Sequence, residues 1–152
     1  MTEGFMQSAK VTDYLKAIGI TEPLQKRIET IYEHFTRIFS YEITDILVEE
    51  YIKEDGSREY ETVDFFSKAY ILSAVNFITK DDFRIGPLEN QIAGMFIEKE
   101  NYDFATATEK SRLHVKCACR RQGATITLKA SKVNCNYLTE ILLKHIIPNM
   151  IR

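Results

Sequence analysis

Three histidines, three cysteines and one acidic turn are the residues of this chain whose types could do chemistry. His34, His114 and His145 stand alone, with no acid or nucleophile at a spacing that would make a relay. Cys117-Ala-Cys119 would supply half of a metal site, but no second Cys/His pair stands at ligand spacing. In a strand these two cysteines point to one face, and together with Cys135 they read as small buried apolar residues. An odd number of cysteines also argues against a disulfide framework. Lys80-Asp81-Asp82 could touch a cation but reads as an exposed turn. Single glycines at Gly86, Gly94 and Gly123 make no phosphate loop, and no Gly-x-Ser-x-Gly elbow occurs. The residues therefore point to no catalytic group, no metal and no cofactor, and to a binding or assembly role.

The elements that carry these residues change character along the chain. Val11, Tyr14, Leu15 and Ile18 follow the spacing of a helix with one buried stripe, and Gly19 is a natural stop. Thr21 then reads as the cap of a second helix with Glu22 and Pro23 in its first turn. Ile28, Ile31, Tyr32, Phe35, Ile38 and Phe39 form its apolar face. A helix-turn-helix reader of DNA would look similar over Leu15–Leu24. However, the first forty residues are electrically neutral, and no third helix follows before the strands begin.

From Ile43 the pattern is that of short strands. Ile43–Ile52 and Glu59–Phe66 flank an Asp55-Gly56 hairpin turn. Residues 64–78 can be read as a helix or as two strands broken near Ser67-Lys68. Phe83–Ile85, Gln91–Glu100, Ser111–Arg121 and Ala124–Ala130 complete the set, the last two forming a hairpin around Gln122-Gly123. In that hairpin Leu113, Val115, Cys117 and Cys119 face the core with Ile126, Leu128 and Ala130. Arg112, His114, Lys116, Arg120 and Lys129 form an opposite, basic face. The aromatic residues concentrate in the strands and read as core filling.

One helix closes the chain, from about Asn134 to Ile147, with Asn134 or Asn136 as its cap. Leu138, Ile141, Leu142 and His145 make one stripe; Leu143, Ile147 and Met150 widen the apolar surface beyond what closing one sheet requires. This excess predicts contact with the N-terminal hairpin or with a second chain.

The net charge of −2 hides a segregation. Residues 41–110 hold sixteen acids and seven bases, whereas residues 111–152 hold eight bases and one acid. Such a division either pairs adjacent strands within one molecule or steers partners together. The start lacks a basic segment followed by an apolar run, and no apolar stretch is long enough to span a bilayer, so a cytoplasmic setting is expected.

From Phe66-Ser67-Lys68-Ala69-Tyr70-Ile71 onward, over about residues 60–147, the chain resembles the bacterial pleckstrin-homology-like domains. The resemblance runs through Phe83-Arg-Ile-Gly-Pro-Leu-Glu-Asn-Gln-Ile92, Phe96-Ile97-Glu98, Tyr102-Asp103-Phe104 and Ser111-Arg112-Leu113-His114-Val115. It favours strands over 64–78. It implies an α+β fold: a PH-like barrel or sandwich of about seven antiparallel strands closed by a C-terminal helix, residues 41–152. The helical hairpin of residues 1–40 precedes that pattern. The resemblance also implies a module that binds proteins or self-associates. The first-hairpin turn, Lys53–Arg58, carries two acids, which disfavours inositide binding there. The alternative is an anionic ligand, a lipid or nucleic-acid phosphate, held by Arg112, His114, Lys116, Arg120 and Lys129, with an enzyme of unrecognised chemistry the least favoured reading; nucleic acid is otherwise not an expected partner.

Overall fold

The computed structural model describes residues 4–53, 55–100 and 111–151. After a short 3-10 turn come α1 (Ala9–Ala17) and α2 (Glu22–Ile38), then β1 (Ile43–Ile52), β2 (Arg58–Ser67), β3 (Tyr70–Val75) and β4 (Asp82–Pro87). β5 (Ile92–Glu100), β6 (Arg112–Cys119), β7 (Thr125–Ser131) and α3 (Asn134–Ile141) follow. A π turn over Leu142–Ile146 and a 3-10 turn over Ile147–Asn149 prolong α3.

The strands form two antiparallel sheets, of order β1-β2-β3-β4 and β5-β6-β7. Residues 64–78 hold two strands and no helix, as favoured, with β2 ending at Ser67, β3 running Tyr70–Val75 and a turn following. The Ser67 hydroxyl accepts the Tyr70 amide across that turn. The expectation of a closed barrel needs correction. Among the described residues no main-chain ladder joins the two sheets, and the seam between β1 and β7 is bridged by side chains instead.

The N-terminal hairpin lies on the four-stranded sheet. Period-two alternation sends Ile46, Val48, Val63, Phe65, Leu72 and Ala74 to the helices, where Val11, Leu15, Ile28, Ile31 and Phe35 meet them. The opposite face sends Leu47, Phe66 and Ile71 to a second core with Leu113, Val115, Cys117, Leu128 and α3. The layers are therefore helical hairpin, four-stranded sheet, then three-stranded sheet with α3. Ile38, expected on the apolar face of α2, lies past the sheet and is exposed.

Local chemistry fixes the hairpin. Ser8 caps α1 by accepting the Val11 amide, whereas Thr21 precedes α2 without a side-chain cap bond. The α1 C-terminal carbonyl of Ile18 accepts from Tyr60 Oη at 2.6 Å and from Arg58, both on β2. Gly19 has φ +81, and a Cβ there would lie 3.3 Å from Tyr60 Oη. Gly19→Ala therefore meets both strain and crowding, and is expected to cost about 1–2 kcal/mol in urea unfolding.

Arg27, the residue of α2 best placed to read a nucleic acid, is committed elsewhere. Its Nε donates to the Phe77 carbonyl, and Nη2 donates to the Lys80 carbonyl and to Asp81 Oδ1 at 2.6 Å. Asp82 pairs with Arg84, so the acidic turn is an anchored loop. No helix among the described residues is long and apolar enough to cross a membrane.

Candidate functional site

The closing helix leaves its outer face open. Leu143 is 63% exposed and Ile147 44%, and the hairpin does not cover them. The apolar excess read from the sequence is therefore not used to dock residues 10–40. Met150 behaves differently: it packs at the end of the second core and bridges Ile92. Between α1 and α3 runs a groove of about 390 Å³, floored by Val11, Tyr14, Ile46 and Ile141 and edged by Leu143 and Lys144.

The basic hairpin face is real but partly spent. Arg112 Nη1 stands 3.5 Å from Glu100, and Lys129 Nζ stands 3.2 Å from Glu61. His114 lies opposite Glu98 in the β5–β6 register. Lys116 and Arg120 are exposed. Much of the charge division along the sequence is thus resolved between neighbouring strands, which weakens the field available to a separate anion. Phe96, expected in the core, is 66% exposed beside Lys116 on this outer face. Tyr102, Asp103 and Phe104 lie outside the described residues.

Two polar joints, which the sequence pattern did not single out, tie α1, β1 and the closing helix together. In the first, Asp45 is nearly buried. Its Oδ1 meets Lys10 Nζ at 2.5 Å; its Oδ2 meets Lys144 Nζ at 2.8 Å and His145 Nε2 at 2.6 Å. Burial alone would raise its pKa, but the hydrogen bonds from His145, Lys10, Lys144 and Thr44 hold it well below the usual carboxylate range. The His145 ring stacks on Phe66, with centroids 5.1 Å apart.

In the second joint, the Tyr14 hydroxyl donates to Asn134 Oδ1 at 2.8 Å and accepts the Val48 amide at 2.8 Å. Asn134 Nδ2 returns to the Val48 carbonyl at 2.7 Å. Each group of this small ring is buried and satisfied.

The seam between the sheets holds the acids most withdrawn from water. A register shift between Glu49 and Glu50 turns consecutive side chains toward the β7 edge. Glu49 Oε1 accepts the Lys129 amide at 3.1 Å, and Glu50 Oε1 accepts the Ser131 amide at 3.3 Å. Burial raises the Glu50 pKa to about 7, against the opposing pull of Arg58, the Ser131 amide and Asn134. Arg58 Nε is 2.8 Å from Glu50 Oε2 but is not aimed at it, so the contact is coulombic.

Glu49 lies diagonally from Asp64 on one face of the β1–β2 pair; Asp64 Oδ1 accepts from Ser73 Oγ at 2.6 Å, and its Oδ2 is buried without a donor. Burial, and then the neighbouring Asp64 charge, lifts Glu49 well above the ordinary range; burial lifts Asp64 as well. A cavity of about 400 Å³ opens over this pair.

Such a pair could in principle exchange a proton with a ligand; the hydroxyl beside it, Ser73, is donated to Asp64. Cys117 and Cys135 are buried, and burial pushes their thiols up to about 11 and about 12. They are packed, unreactive groups. Among the described residues no cluster of three or more His, Cys, Asp or Glu side chains could hold a metal. No known protein family, curated protein or solved structure matches this chain.

Proposed function

We propose that this chain is a non-catalytic interaction module that self-associates through the outer face of its closing helix. The observation that carries the reading is the exposure of Leu143 and Ile147 after the N-terminal hairpin has been placed elsewhere. The occupant best suited to that face is a second copy. Docked antiparallel, each Leu143 would meet its counterpart, and Glu140 of each copy would stand beside Lys144 of the other, shared there with Asp45. Both side chains are exposed.

The strand order, two antiparallel sheets followed by a C-terminal helix, agrees in outline with a PH-like sandwich. The open seam and the hairpin covering the four-stranded sheet set it apart from that pattern. Free, unpaired cysteines suit a reducing compartment such as the cytoplasm. An anionic ligand on the basic face would have to compete with Glu100 for Arg112 and with Glu61 for Lys129, which makes it the weaker reading.

The face is small, so association in the micromolar range is expected. Sedimentation from low to high micromolar concentration should show a monomer–dimer equilibrium. Leu143→Glu should abolish it while leaving the thermal midpoint within about 2 °C, because the site is exposed. A wild-type chain that stays strictly monomeric throughout would overturn self-association.

A further inference from the structure

The seam between β1 and β7 is held by carboxyl groups where a closed barrel would have a main-chain ladder. Glu49 and Glu50 together take the two β7 amides, those of Lys129 and Ser131. Glu49 and Asp64 are 6% and 1% exposed and lie diagonally on one face of the β1–β2 pair, and Asp64 Oδ2 is buried without a donor. Two carboxyls can share a hydrogen bond only if one of them carries a proton. A proton on Glu49 would give that oxygen its donor; with both ionised it has none.

We propose that this seam is a proton-operated latch: it stays shut while Glu49 and Asp64 share one proton, and it loosens when both ionise, opening the cavity between the sheets.

The surroundings offer little to hold two charges. Lys129, from β7, is the nearest cation, and its ammonium is engaged with Glu61 of β2. Arg84, from β4, lines the cavity but pairs with Asp82 and is largely in solvent. From β3 comes only the Ser73 hydroxyl, already donated to Asp64. Tyr14 of α1 lies close enough to feel the Asp64 charge and offers no positive one. Next along β1, Glu50 is met by Arg58 of β2, by Lys132 beyond β7 and by Asn134 of α3. Ionising both members of the pair therefore adds a second negative charge within hydrogen-bond reach of the first, in a site shielded from water. The bond most exposed to that repulsion is the one from Glu49 to the Lys129 amide.

The sign follows from linkage. A carboxyl whose pKa is raised by folding binds its proton more tightly folded than unfolded. Its contribution is therefore lost as pH rises above the ordinary carboxylate range.

Hydrogen exchange of the whole chain, corrected for the intrinsic tenfold rise per pH unit, tests the latch. Between pH 6 and pH 9, protection of residues 125–131 should fall at least tenfold, while residues 113–117 keep theirs. Glu49→Gln retains an oxygen for the Lys129 amide and carries an N–H toward Asp64, with no proton to lose. With Glu50→Gln added, to remove the neighbouring carboxyl raised to about 7, protection of 125–131 in this variant should be flat over the same range. If it does not fold, Asp64→Asn carries the same prediction with the donor reversed. The latch is refuted if wild-type protection at 125–131 is independent of pH, or if it falls equally in both variants.

Discussion

Replacing Asp45 with alanine is expected to lower the stability of the fold by about 3 kcal/mol. The carboxylate is 6% exposed and is the common partner of Lys10, Lys144 and His145, so its loss releases α1 and the closing helix from β1 at once. The two lysines are more than half exposed and regain water, so they contribute little to this figure. Most of it comes from the buried His145, left beside Phe66 without its acceptor. Asp45→Asn keeps the shape and one acceptor oxygen, and should cost roughly half as much. The pH dependence has a definite sign. Because the Asp45 pKa is lowered by folding, its contribution is present above the ordinary aspartate range. It begins to erode as pH falls below about 4 and is lost only as pH passes through the lowered folded value. Thermal melts should therefore separate wild type from Asp45→Ala fully at pH 6 and by a smaller margin at pH 3, the gap closing only as pH falls through the lowered Asp45 value. Equal midpoints at pH 6 would show that the cluster contributes nothing.

The Asn134 joint should be of similar weight. Asn134→Ala strands two buried groups: the Tyr14 hydroxyl loses its acceptor and the Val48 carbonyl loses its donor. At about 1 kcal/mol or more for each unsatisfied group, the expected loss is about 2–3 kcal/mol by urea unfolding. Tyr14→Phe removes the acceptor of the Val48 amide and should cost about 2 kcal/mol. Because the two residues share one ring of hydrogen bonds, the double variant should cost clearly less than the sum. Strict additivity would mean that the two act independently.

Both joints bear on how the closing helix works. It is fixed to β1 by Asn134 at its start and by Lys144 and His145 further along. The face bearing Leu143 and Ile147 is therefore presented from a rigid element, which lowers the ordering cost of any association through it.

The succession of elements was legible in the sequence because local periodicity governs it. Residues 64–78 fitted a helix or two strands by spacing alone, whereas the two helices, the alternating β6–β7 hairpin and the terminal helix followed from spacing and turn residues. So did the burial of Cys117 and Cys135 and the exposure of Lys116 and Arg120, which are matters of which face a residue is on.

What only the tertiary structure decided is where unlike elements meet. Asn134 reads locally as a helix cap, yet its amide is buried between α1 and β1, because the partners that draw it inward lie 120 and 86 residues away. Asp45, Glu49, Glu50 and Asp64 look like ordinary polar positions of alternating strands. Their burial arises from the shift of register in β1 and from the hairpin and β7 closing over them. Composition made Leu143 and Ile147 candidates for a contact. That the contact is not with the chain's own hairpin follows from the hairpin finding a larger apolar surface on the four-stranded sheet.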